Sequence, residues 1–231
     1  MRPARWSVVR FGLVPVTAFF VLGPLAFLLW VGAREGSAEL LGRVADLSPL
    51  SVIAQVTLLA TLTTAWAFFL GVPLAWLTVR SDLPWRGLFR WLAPLSLAIP
   101  PYIGAIVYQI VLSPGGLLPH LLGVSTLPFS FYNVWGAAGI LGLFTYPYLY
   151  LLVSGALERT NPTLEEAARG AGLGPGAVLG RITLPLLRPS LLAGGLMVFL
   201  YGWADFGVVS LLRVRTLTTV IYDYVQGTLD C

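Results

Sequence analysis

Five apolar runs, each long enough to cross a bilayer, constrain this chain more than any other feature of it. A spanning α-helix needs about 20 predominantly apolar residues. Such runs extend from about Phe11 to Val31, Ser51 to Val79, Leu88 to Leu112, Val134 to Leu157 and Leu186 to Leu212. They lack the strict alternation of barrel strands, and in lipid only helices and closed barrels satisfy their own backbone. The expected fold class is therefore all-α: a polytopic membrane protein of about five transmembrane helices. Composition agrees, because only 10% of the residues are charged and 57% are hydrophobic. Ordinary soluble domains carry roughly 25% charged residues, so this chain cannot coat a water-facing surface of its size. Residues 1–50 read as an N-terminal transmembrane helix with an outer loop, and 51–231 as the main transmembrane domain.

All 14 basic residues are Arg, and their placement gives an orientation. Arg2, Arg5 and Arg10 precede the first run. Arg80, Arg86 and Arg90 lie between the second and third, and Arg159, Arg169, Arg181 and Arg188 between the fourth and fifth. The opposite side holds only Arg34, Arg43, Arg213 and Arg215. Positive residues collect on the cytoplasmic side, so the N-terminus and the three Arg-rich segments are expected inside. The first run exceeds the roughly 7–15 apolar residues of a signal peptide core, and reads as a retained span. In a soluble protein a net charge of +4 would suggest nucleic acid; here the Arg residues bracket apolar runs, so lipid is the expected environment and no nucleic-acid partner is expected.

One Cys, Cys231, and one His, His120, exclude a disulfide framework and a Cys/His metal cluster. An intramembrane enzyme would need a nucleophile, base or metal cluster at membrane depth. Thr57, Thr61, Thr63 and Thr64 in the second run have no evident base beside them, and such hydroxyls serve helix packing more often. His120 lies in a turn-rich outer segment, Ser113 to Asn133, with a short surface helix, and reads as solvated. No catalytic residue, metal site or bound cofactor is expected in this chain.

Pro100-Pro101 in the third run and Tyr146-Pro147-Tyr148 in the fourth should break or kink their helices. The freed carbonyls then face protein or a water-filled path. Pro100, Pro101, Tyr102 and Tyr146 are thus candidates for a translocation pathway, with a simple packing kink as the alternative. Asp205 is the only acidic residue well inside a predicted span. It reads either as a pathway carboxylate, as intramembrane charges often are, or as a structural one paired with backbone or with an Arg such as Arg213. The tail from Arg213 to Cys231 shows no further span.

The segment 158–189 is the most polar stretch between two apolar runs. Asn161 can cap a helix begun by Pro162, with Thr163 and Glu166 as a competing capping box. Glu165 and Glu166 then favour the positive helix end. Gly172 can take a left-handed stop followed by Leu173. Gly174-Pro175 starts a second short helix to about Arg181. Two short helices at a glycine corner are expected.

Glu166-Ala167-Ala168, three residues, Gly172, nine residues, Ile182, one residue and Leu184-Pro185 is similar to the EAA loop of ABC importer permeases, the MetI-like family, at every defined position. The stretches Gly71 to Gly87, Pro94 to Tyr108, Thr145 to Leu152 and Trp203 to Leu212 resemble the ferric-iron branch of that family, from which Pro101 departs where Gly is expected. The resemblance implies a coupling helix that docks into a cytoplasmic ATPase, with Glu165, Glu166, Ala167, Ala168, Gly172, Ile182, Leu184 and Pro185 as the coupling set. It implies a bacterial inner-membrane location, an ATPase subunit that uses the ATP, a periplasmic substrate-binding protein, and a second transmembrane half or homologous permease. The chain reads as an N-terminal half on that pattern. Ferric iron is the implied substrate, with thiamine, polyamine, sulfate and phosphonate as alternatives.

Overall fold

The computed structural model describes residues 49–229 and scattered helical positions between 15 and 30. The first predicted span, Phe11 to Val31, falls largely outside the described residues, as do the Arg residues on either side of it. The chain divides into two compact units, Met1–Leu50 and Ser51–Cys231; the second carries nearly all of the elements below. These are α1 (Pro49–Arg80), α2 (Arg86–Leu95), a 3-10 turn (Ser96–Ala98), α3 (Pro101–Leu112), α4 (Leu117–Leu121), α5 (Val134–Arg159), α6 (Pro162–Gly170), α7 (Pro175–Val178), a π segment (Leu179–Thr183), α8 (Leu184–Ala204), α9 (Gly207–Leu211) and α10 (Leu217–Leu229). The described residues are all-α, and four helical stretches are long and apolar enough to cross a membrane: Pro49–Arg80, Pro101–Leu121, Val134–Arg159 and Pro175–Ala204.

Helix α5 is the centre. Half of its most apolar stretch is buried, against 11% for the span beginning at Pro101. Its neighbours approach through small residues, which let helix backbones come close where lipid offers no hydrophobic drive. A side chain at Gly71 of α1 would stand 2.9 Å from the Tyr146 carbonyl oxygen of α5, and one at Gly194 of α8 would stand 3.2 Å from Leu149 Cα of α5. Two buried clusters result. One gathers Leu59, Ala138, Leu141, Val208, Val209 and Leu212; the other gathers Ala75, Leu149, Tyr150, Val153, Leu157 and Leu187. The outward faces stay apolar, as in the stripe Leu192, Leu196 and Leu200 along α8, which suits acyl chains rather than water.

Of the break or kink expected at Pro100-Pro101, the structure shows the break: α2 ends in the 3-10 turn, Ile99 and Pro100 are extended, and Pro101 opens α3. Consecutive prolines leave no donor for the preceding turn, so the chain restarts instead of bending. The fourth run does the opposite. Helix α5 runs unbroken through Pro147 from Val134 to Arg159, because Pro147 is buried among neighbours that hold the helix together. The fifth run, expected to reach Leu212, stops at Ala204 with Asp205 extended. The tail, which shows no sufficiently long apolar run, nevertheless forms α10; its 13 residues rise only about 20 Å, short of the roughly 30 Å hydrocarbon core.

Candidate functional site

The polar segment between α5 and α8 builds up as follows. Asn161 is the N-cap of α6, its side chain accepting from Thr163 N–H at 3.1 Å, and Pro162 fills the first helical position. The cap at Asn161 prevails over the capping box one residue later, since Pro162 already supplies a helical φ. The helix ends in a Schellman turn: Gly172 has φ +85°, Gly172 N–H donates to Arg169 O at 3.0 Å and Leu173 N–H to Ala168 O at 3.1 Å. The glycine corner expected from sequence is therefore present. The second short helix is not separate. Helix α7, the π segment and α8 form one helical run from Pro175 to Ala204. Leu184 N–H donates to Leu179 O, which widens one turn. Pro185 has no N–H to offer the next carbonyl in either register, so the ladder is weakest where the run enters the apolar span.

Helix α6 presents two faces. Leu164, Glu166, Ala167, Arg169, Ala171 and Gly172 are exposed, with Leu164 at 51%. Glu165 and Ala168 are buried. The Glu165 carboxylate accepts from Thr183 Oγ1 at 3.1 Å. It also lies 3.6 Å from Arg80 Nε and 3.5 Å from Arg169 Nη2. Arg80 is the last residue of α1, and its Nη2 donates to Leu157 O at 3.0 Å and Thr160 O at 2.9 Å, where α5 ends. Nearby, Arg90 of α2 pairs with Glu158 at 3.4 Å. The coupling set thus splits: Glu166, Ala167, Gly172 and Leu184 face outward, Ile182 and Pro185 are half-buried, and Glu165 and Ala168 turn inward. Sequence reading missed Arg80 and Thr183 as partners of Glu165. The only hint was a charge, Arg80, closing an apolar run beside a second charged segment.

Of the pathway candidates, Tyr102 lies against the segment that Asp205 caps, whereas Tyr146 contacts α2. Tyr146 Oη donates to Ala93 O at 3.0 Å, tying α5 to α2. Tyr102 is exposed, and a side chain at Gly207 would stand 2.8 Å from its Cβ. The Asp205 carboxylate accepts from the backbone N–H groups of Val208 at 3.0 Å and Val209 at 3.2 Å, both through Oδ2. It thereby caps the start of α9, and this local competition with the backbone explains why α8 stops early. Its carbonyl accepts from Thr218 Oγ1 at 2.7 Å, and Gln109 Nε2 donates to Leu211 O at 2.7 Å, so α10 holds the start of α9 and α3 holds its end.

A bundle of long apolar helices with small-residue crossings and a capped helical loop between two of the spans is the form of a polytopic membrane protein. Residues 67–229 match the family model described as binding-protein-dependent transport system inner membrane component, and the chain belongs to that family. It is a multi-pass inner-membrane protein of a class that is not itself catalytic. The chain is 27% identical over 187 residues to the molybdenum transport system permease protein ModB of Azotobacter vinelandii, covering 77% of this chain and 81% of that protein. It is 29% identical over 172 residues to the Fe(3+)-transport system permease protein FbpB 2 of Haemophilus influenzae, covering 74% of this chain but 31% of that protein. Among solved structures, a chain of the inward-facing MetNI methionine ABC transporter shares the fold with a TM-score of 0.58 at 16% identity, covering 76% of this chain and 79% of that one.

Proposed function

We propose that this chain is the membrane-spanning permease subunit of an ATP-driven importer, with α6 as the helix that docks into a cytoplasmic ABC ATPase. The observation that carries this is the exposed face of α6, where Leu164, Ala167 and Ala171 form an apolar stripe beside Glu166. Small side chains let a helix seat deeply in a groove, and the carboxylate adds a polar contact at its rim. Arg placement supports an orientation with the N-terminus and α6 in the cytoplasm. ATP binding closes the two ATPase subunits, α6 moves with them, and the spans switch between inward-open and outward-open arrangements, a bistable element biased by a bound partner. A periplasmic binding protein delivers the substrate, and a second transmembrane half or homologous permease completes the pathway. ATP is used by the partner subunit.

Co-purification tests the docking role. The chain should bring down its ATPase, and replacing Glu166 and Gly172 together should weaken both that association and ATP-driven uptake. Full binding and uptake in the double variant refutes the reading. For substrate, we infer a small inorganic ion. The similarity to FbpB 2 supports ferric iron, and the similarity to ModB, which extends over most of that protein, favours molybdate as a second reading. Uptake of radiolabelled iron against radiolabelled molybdate in vesicles holding the whole importer separates them.

A further inference from the structure

Resting on the docking role of α6, we propose that Glu165 and Arg80 are positioning residues that transmit its movement to the spans. They form a buried charge pair that fastens the docking helix to the ends of α1, α5 and α8 at once. Glu165 is not available to an outside partner: its side chain is 4% exposed, and its two oxygens are shared among Arg80, Arg169 and Thr183. Arg80 is 13% exposed at its side chain. Its guanidinium reaches two carbonyls at the end of α5 through Nη2 and turns Nε toward Glu165. Only a planar fork serves three segments in this way; a lysine ammonium offers a single point charge.

Stability alone does not explain such a pair, because buried ion pairs are commonly replaceable by apolar residues without loss. What the charges add is a defined geometry between elements far apart in the chain. The pair also has slack. Arg80 Nε has no hydrogen-bond partner, and the 3.6 Å to Glu165 exceeds hydrogen-bond range by about 0.5 Å. A small approach of α6 to the end of α1 converts the ion pair into a hydrogen bond. On the other side of Glu165, Thr183 is wholly buried and closes the π segment. Displacement of α6 therefore acts on the weakest turn of the run that enters α8.

The test uses the assembled importer in vesicles, with ATP hydrolysis and substrate uptake measured together. Glu165→Gln keeps an acceptor for Thr183 and removes the charge; Arg80→Lys keeps the charge and removes the fork. Each is expected to bring down the ATPase at wild-type level while uptake per ATP falls roughly three- to tenfold, within the roughly two- to thirtyfold span of known coupling effects. The double variant is expected to be no worse than the poorer single one, since both interrupt one contact. Unchanged uptake per ATP in Glu165→Gln overturns the proposal, as does loss of ATPase binding by a Glu165→Gln chain that is otherwise stable. Should either charge variant fail to reach the membrane, Thr183→Val is read instead: uptake per ATP is expected to fall about twofold, and an unchanged ratio overturns the proposal. A wild-type chain that brings down no ATPase refutes the docking role itself, a separate result from any of these.

Discussion

Replacing Asp205 in two ways separates a structural carboxylate from a charge that acts in transport. Both of its bonds to the α9 backbone, at 3.0 and 3.2 Å, end on the same oxygen. Asparagine can place its Oδ1 there and accept both. What it loses is charge assistance, about 1 kcal/mol per bond, and part of this returns because a buried charge no longer has to be desolvated. A net cost of about 1 kcal/mol is expected for Asp205→Asn. Alanine accepts nothing. The N–H groups of Val208 and Val209, residues wholly shielded from solvent, are then left unmatched at about 1–3 kcal/mol each, so about 4 kcal/mol in total. Thermal unfolding in detergent and uptake in vesicles are measured on both variants. Asparagine should track the wild type closely in both assays, and alanine should fall well below it in both. Asn as destabilising as Ala would refute the cap. A fully stable Asn variant that has lost uptake would show that the charge itself is needed, and would refute the reasoning just as firmly.

Gly172→Val forces a β-branched residue to φ +85°, at a cost of about 1–2 kcal/mol; faster proteolytic cleavage between α6 and α7 should accompany weaker ATPase association. Gly71→Val places a Cβ 2.9 Å from the Tyr146 carbonyl oxygen, a backbone atom that cannot rotate away, so about 1–3 kcal/mol of stability should be lost. An unchanged thermal midpoint in that variant would contradict the close crossing of α1 and α5.

The sequence carried the parts of this structure that depend on neighbours in the chain. Long apolar runs announced the spans, Pro100-Pro101 announced a break, and Asn161, Pro162 and Gly172 announced where α6 starts and stops. All of these are local effects of a missing donor, a capping oxygen or a permissive φ. What was not legible depends on residues brought together by folding. Glu165 and Glu166 are adjacent and chemically alike, yet one faces Arg80 and Thr183 and the other faces outward. Nothing in the local pattern distinguishes them. Pro147 shows the same limit, since whether a proline breaks a helix depends on what surrounds it. Asp205 lies between these cases: its capping preference is local, but within a continuous apolar run it looks like an intruder rather than a terminus.

The helical run from Pro175 to Ala204 has a mechanical ratio built into it. The π segment, Leu179–Thr183, sits close to one end. Taking its centre as a fulcrum, the arm toward Pro175 is about 9 Å long and the arm toward Ala204 about 35 Å, at 1.5 Å per residue. A run of those proportions magnifies travel about fourfold when it pivots as a whole, a 1 Å nudge beside α6 becoming about 4 Å at the far end, and absorbs the nudge when it bends at its weak turn instead. That far end is the Asp205 turn, to which Thr218 also binds. On the docking role proposed for α6, the balance between pivoting and bending at Leu179–Thr183 sets how much of a stroke there reaches Asp205.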